Sequence, residues 1–288
     1  MTISALSPQQ LVTLACLLEA TAPKVGNVHR GADFEDLTFQ DFASCAVVAA
    51  PHLTAAGKIG VGRAALNAVT ASREIADTNV NLGIALLLAP LCAAVDLCSP
   101  EQPNLDFAVG HVLDSLDEND AEDVWQAIRL ANPGGLGATD DMDVANSPPK
   151  SLLDAMSAAA HRDLVARQYA TNFEIVFHEA AVALAEHRMR FSASYAIICA
   201  HVELIARHGD SLIARKCGPE VAAEACDRAQ RTLDAGDPSS ADYQREINEL
   251  DFWMRTDGNR RNPGATADLI AAGLFVALYD QTFPPPWR

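Results

Sequence analysis

Apolar side chains recur at three- and four-residue spacing along almost the whole chain, and no stretch alternates long enough to make a strand. The first helix opens at Ser7-Pro8-Gln9-Gln10. Ser7 reads as its N-cap, Pro8 as the first helical residue and Gln10 as the closing member of a capping box. Leu11, Leu14, Ala15, Leu18 and Ala22 then share one face. Thr38-Phe39-Gln40-Asp41 starts a second helix that runs towards Gly57, with Pro51 breaking or kinking it near the end. Further helices are predicted over 63–75, 81–97, 121–130, 151–187, 191–208, 219–233 and 241–254. Gly209 fits a C-terminal cap, and Asn262-Pro263-Gly264 begins the last helix with Asn262 as cap and Pro263 just inside. The segment 82–95 is apolar all round and contains Pro90; it is too short to span a membrane and reads as a buried helix. The tail Phe283-Pro284-Pro285-Pro286-Trp287 cannot be helical, and no fixed-period repeat is present. The expectation is an all-α fold: one compact multi-helix domain over 1–288 with a central buried helix. Residues 139–150, polar and proline-bearing without periodicity, read as a mobile loop within it.

Composition narrows the partners. The chain has 288 residues, 49% of them apolar, and a net charge of −17, so a large core is expected and neither nucleic acid nor anionic membrane is an expected partner. A polyphosphate would be repelled at long range too, and should arrive with Mg²⁺. Seven cysteines without a Cys-x-x-Cys pair argue against a disulfide framework and a zinc site. With no basic-then-apolar leader at the N-terminus, the expected compartment is the cytoplasm. A homodimer is left open.

Candidate chemistry concentrates in loops. Between the first two helices lie Lys24, His29 and Arg30, which suit phosphate oxygens, and Asp33, Glu35 and Asp36, which suit a hard divalent metal. A solvated loop with internal ion pairs explains the same residues. Asp77-Thr78-Asn79-Val80-Asn81-Leu82-Gly83 offers more polar groups than one helix cap requires. Arg215 and Lys216 can clamp phosphate, or merely complement a helix dipole. In Asn262-Pro263-Gly264-Ala265-Thr266-Ala267-Asp268-Leu269, Gly264 and Ala265 leave room for a ligand or for a close helix crossing. Asp163 and Arg167 are spaced for an ordinary i,i+4 pair, and Tyr169 suits the core. His161, His178, His187 and His201 show no metal-ligand spacing, and there is no nucleophile elbow, Walker loop or dinucleotide fingerprint.

In their order along the chain, Glu19 with Pro23 to Gly26 and Val28, Asp77 to Gly83, Arg162 to Tyr169, Asp210 to Lys216 and Asn262 to Leu269 resemble the triphosphoribosyl-dephospho-CoA synthase family. The resemblance implies an all-helical enzyme that moves the triphosphoribosyl group of ATP to the ribose of 3′-dephospho-CoA and releases adenine, with Mg²⁺ accompanying ATP. It further implies catalytic or metal-binding carboxylates among Asp33, Asp36, Asp77 and Asp268. Phosphate, sugar and base contacts are then expected from Lys24, Asn27, His29, Arg30, Asn79, Asn81, Arg215, Lys216, Asn262, Gly264 and Thr266. Members of the family usually read Asn-Thr-His-Lys-Gly where this chain has Asn79-Val80-Asn81-Leu82-Gly83. That departure keeps open a second enzyme reading, the same pocket serving another phosphorylated acceptor in assembly of a different cofactor such as a C1 carrier. A reading of another class is a non-catalytic helical ligand-binding protein, which predicts that the polar loops lie far apart.

Overall fold

Ser7 and Thr38 cap their helices as their spacing predicts. Ser7 Oγ accepts from the Gln10 amide while Gln10 answers the Ser7 amide, and Thr38 and Asp41 do the same. A computed structural model describes residues 6–99, 104–133 and 148–287 of the chain. Most of the expected 139–150 loop lies outside them.

The elements in chain order are α1 (Pro8–Thr21), α2 (Phe39–Leu53), α3 (Ala56–Ile59), α4 (Val61–Arg73), α5 (Leu82–Leu97), α6 (Leu105–Asp114), α7 (Glu118–Ala131), α8 (Leu152–Ala159) and α9 (Leu164–Ala170). A π-helical turn (Val176–Ala180) then leads into α10 (Ala181–Arg188). The chain continues through α11 (Ala193–His208), α12 (Ser211–Cys217), α13 (Pro219–Asp234), α14 (Ala241–Arg255) and α15 (Gly264–Tyr279). Among the described residues there is no strand, so the fold is all-α.

Three expectations about the elements need correction. The predicted helix 151–187 is divided, because Asp163 caps a new helix and Asn172 and Phe173 take positive φ angles of 53° and 61°. Buried Gln168 bridges that break, donating to the Leu164 carbonyl and accepting from the Val176 amide. α6 was not predicted; Asn104 caps it by accepting from the Phe107 amide. Asn262 does not cap α15, which starts one residue later than expected with no side-chain cap.

The expected central buried helix is α5, and α15 shares the centre with it. α5 is buried from Ile84 to Ala94 and α15 from Leu269 to Leu278. Both are apolar on all sides, as burial within a helical assembly requires. Around them pack α1, α4, α9, α10, α11 and the π-turn. Small residues set the closest approaches. A β-carbon on Gly62 would fall 2.6 Å from the Asp120 Cα, so this glycine lets α4 meet α7 backbone to backbone. A smaller apolar cluster joins Val25, Val202, Ile213, Ala225, Leu250 and Met254, and it seats α12 to α14 beside the α1–α2 loop.

Pro90 lies inside α5 and carries no N–H, which orphans the carbonyl four residues earlier. The fully buried Tyr169 hydroxyl donates to that carbonyl, Leu86 O, at 2.6 Å. Tyr169 is therefore core, and its hydroxyl also ties α9 to α5. Tyr169→Phe should cost about 1–3 kcal/mol, the usual penalty for a buried acceptor left unpaired. Urea unfolding of the variant measures it; a cost near zero would mean that another donor takes over Leu86 O.

Candidate active site

Lys24 is the unusual residue of the α1–α2 loop. Its side chain is 0% exposed, and its Nζ pairs with Glu19 Oε1 at 2.8 Å and donates to the Glu19 carbonyl at 2.6 Å. A buried ammonium is tolerable only when paired and hydrogen-bonded, and Glu19 provides both. Glu19 is buried as well, and its second oxygen, Oε2, has no partner.

From this pair the loop passes over the end of α14. Gly26 donates its amide to Asp251, Arg255 donates to Asp251 and to the Asn27 carbonyl, and the Asn27 amide donates to Asn262 Oδ1. The outer half of the loop faces solvent. Arg30, Asp33 and Asp36 are exposed; Asp33 Oδ1 accepts from the Phe39 amide, and both Asp36 oxygens accept from the Asn259 side chain. His29 Nδ1 accepts from the Gly31 amide, and burial, reinforced by Arg255, pushes this imidazole below its ordinary range.

The N-termini of α5, α9, α12 and α15 meet near Glu19, the ion-pair partner of Lys24. Asp163 caps α9 with Oδ1, which accepts from the Val165 and Ala166 amides, and its Oδ2 pairs with Arg215. Asp210 caps α12 in the same way with Oδ1, while its Oδ2 accepts from the Thr266 amide at 2.7 Å and hydroxyl at 2.9 Å. Ser211 Oγ accepts from the Leu164 amide and so joins the starts of α9 and α12. Gly264 lets Leu212 approach the start of α15, the close helix crossing that the sequence left open.

Asp268, one turn into α15, completes the group. Its carboxyl lies against Gly83 in the first turn of α5, in space that a β-carbon there would occupy. It keeps a small opening to solvent, and it has no hydrogen bond or ion pair to any described residue. Burial raises its pKa well above the carboxylate range; the charges of Glu19, Asp210 and Asp163 add to the rise, and Arg215 opposes it. Burial raises Asp210 too, against the pull of its four hydrogen bonds. Beside the cluster, His201 is fully enclosed; the Pro263 carbonyl approaches its ring, but neither ring nitrogen makes a hydrogen bond of normal geometry. Burial first and the Lys24 charge second push it far below its ordinary range, against the Pro263 carbonyl.

Lys24, Arg215, Asp268 and Thr266 thus belong to one buried cluster, flanked by Asn27 and Asn262. Lys216 is at its rim, half-buried, with burial lowering its pKa and Asp36 opposing. Asp77 is exposed and joined to none of these groups; Asn81 holds the N-cap position of α5 without a side-chain cap bond, and Asn79 accepts from the Leu82 amide. Asn81 is buried and spends its amide on Ser72. Glu19, Asp163, Asp210 and His201 were not singled out as site residues. Asp163 seemed paired within its own helix, whereas its partner Arg215 is 52 residues away. Among the described residues, no three His, Cys, Asp or Glu side chains are grouped to hold a metal ion, and no helix is long and apolar enough to cross a membrane.

A buried lysine, a half-buried arginine, several helix N-termini and a carboxyl without a partner, set in an all-helical frame, are compatible with binding a phosphorylated small molecule. The model of one family, ATP:dephospho-CoA triphosphoribosyl transferase (CitG), matches residues 5–285, and the chain belongs to that family of transferases. A crystal structure from Archaeoglobus fulgidus, described as a candidate triphosphoribosyl-dephospho-CoA synthase, is similar at 25% identity and a TM-score of 0.62; the likeness covers 85% of this chain and 99% of that one. No curated protein matches. Family membership decides for an enzyme over a non-catalytic binding protein, which the partial convergence of the loops alone would not.

Two buried groups give opposite pH responses. Asp268 holds its proton more tightly folded than unfolded, so stability falls as pH rises from the unfolded carboxylate value through its raised pKa. Asp268→Asn should therefore gain stability relative to wild type as pH rises through that window. His201 binds its proton less readily folded than unfolded, so stability falls as pH drops below about 6.5. The advantage of His201→Leu over wild type should grow there. Equilibrium unfolding across pH tests both; parallel curves for wild type and either variant would contradict the corresponding assignment.

Proposed function

We propose that the chain transfers the 5-triphosphoribosyl group of ATP to the ribose 2′-hydroxyl of 3′-dephospho-CoA and releases adenine, acting in the cytoplasm. The observation that carries this reading is the meeting of four helix N-termini around Asp268, with Lys24 as a buried cation and Arg215 as a half-buried one. In the reaction the bond from the ribose C1″ to adenine N9 breaks and a bond from C1″ to the acceptor oxygen forms. Positive charge builds at C1″ on the way, and fixed carboxylates stabilise it. Asp163 suits that task, since two amides and Arg215 hold its carboxyl in place. Arg215, half-buried at the edge of the cluster, suits the triphosphate oxygens.

Mg²⁺ is commonly bound by one or two carboxylates together with phosphate oxygens, so hard oxygen donors near the triphosphate are what it needs. Asp33 fits best, because one of its oxygens is uncommitted, whereas the Asn259 amide engages both oxygens of Asp36. When bound, the ion would neutralise phosphate charge.

Incubation with ATP, Mg²⁺ and dephospho-CoA should release one adenine per acceptor modified, followed by chromatography of both products. Release of ADP or AMP without adenine would overturn the reading. Arg215→Lys removes the planar fork and leaves a point charge. Losing a charged hydrogen bond of about 1.5–3 kcal/mol should lower kcat/KM roughly ten- to hundredfold.

A further inference from the structure

We propose that Asp268 is the proton donor to the departing adenine, and that Glu19, anchored by Lys24, is the positioning neighbour that keeps the proton there. The inference rests on the transfer reaction proposed above. An N-glycosidic bond that breaks without a proton would leave adenine as an anion, a poor leaving group. A positioned acid contributes typically about 10²–10⁴-fold to such a step.

Only one carboxyl of the cluster is free to give a proton. Asp163 is saturated by two amides and Arg215, and Asp210 by three amides and the Thr266 hydroxyl. Glu19 is tied to Lys24. Asp268 has no such partner, and the absence of a side chain at Gly83 gives its carboxyl room at the mouth of α5. The groups that face it from each packed element are Cys16 and Glu19 of α1, Asp163 at the start of α9, and Asp210 and Arg215 of α12. Three of these five are carboxylates and one is a cation. Glu19 is the largest of the charge effects, and all three carboxylates favour the protonated form. The buried, unpartnered Oε2 of Glu19 leaves that charge uncompensated on one side. Paired titratable groups whose surroundings push them apart mark the acid and its ionised neighbour.

The step balances without another reagent. The electron pair of the C1″–N9 bond goes to adenine, which takes the Asp268 proton. The acceptor hydroxyl forms the new C1″–O bond and gives up its own proton. Through the solvent opening beside Asp268, that proton restores the carboxyl for the next turnover.

The test compares wild type and Asp268→Asn on ATP and on N7-methyl-ATP, whose cationic base leaves as a neutral molecule. On ATP, Asp268→Asn should lose about 10²–10⁴-fold in kcat. On N7-methyl-ATP the loss should be no more than about tenfold, and the residual activity on ATP should lose the alkaline limb of its pH profile. Glu19→Gln should move that limb to lower pH in wild-type background. If that variant does not fold, the Asp268→Asn comparison still decides the acid role. Equal losses on both substrates, or a loss restored by raising Mg²⁺, would overturn it. Wild type that releases no adenine from ATP would instead overturn the transfer reaction itself, and this assignment with it.

Discussion

Burying Lys24 without any access to water sets a constraint that propagates through the functional end of the molecule. An ammonium so placed must keep its carboxylate, and removing one member of such a pair costs about 3–5 kcal/mol. Glu19 therefore belongs with Lys24, and the last turn of α1 is committed to holding the loop that follows. The loop in turn is fastened to α14 through Gly26 and Arg255, and to the start of α15 through Asn27. Those contacts bring Asn262 and the helix carrying Asp268 under the same lysine. Burial lowers the pKa of the enclosed His201, and the Lys24 charge beside it adds to the shift.

Periodicity and caps made most helices legible, because Ser7, Thr38 and Gly209 act through local hydrogen bonds that depend only on nearby sequence. The break between Gln168 and Val176 was not legible. It depends on a glutamine side chain that replaces backbone bonds, and on Asn172 and Phe173 in a region of φ that non-glycine residues seldom adopt. The same division holds at the site. Lys24, Arg215 and Asp268 stood out by position within polar segments, yet Glu19 and Asp163, the ion-pair partners of the two cations, and Asp210 nearby resembled ordinary helix-surface or capping residues. Only the tertiary arrangement turns two N-cap aspartates into neighbours of one carboxyl. Asp77, which stands before the same apolar helix, faces solvent apart from the cluster, and it is Asn79 that accepts from the first amide of α5.

Proline within α5 carries a further implication. The Leu86 carbonyl that it frees is met by a tyrosine on α9, the helix whose first turn bears Asp163. The two helices are thus tied together a short way behind the site, and the relative position of Gly83 and Asp163 is set by a covalently rigid ring as much as by apolar packing. Arg215 reaches the same aspartate from α12, so a displacement of α9 would be felt at the cation and at the central helix together.

Gly83 gives the divergent second motif a meaning. Of the residues usually spelled Asn-Thr-His-Lys-Gly, this chain preserves the first and the last. Asn79 secures the helix start, and Gly83 vacates the volume that Asp268 fills. Of the three altered positions, Val80 is half-buried, while Asn81 and Leu82 are buried, where a neutral amide and an aliphatic chain are at home. Gly83 and Asp268 are in effect one heritable unit. A descendant that gained a side chain at the glycine would have to surrender or redirect the aspartate, so the two positions should be kept or lost together as the lineage drifts.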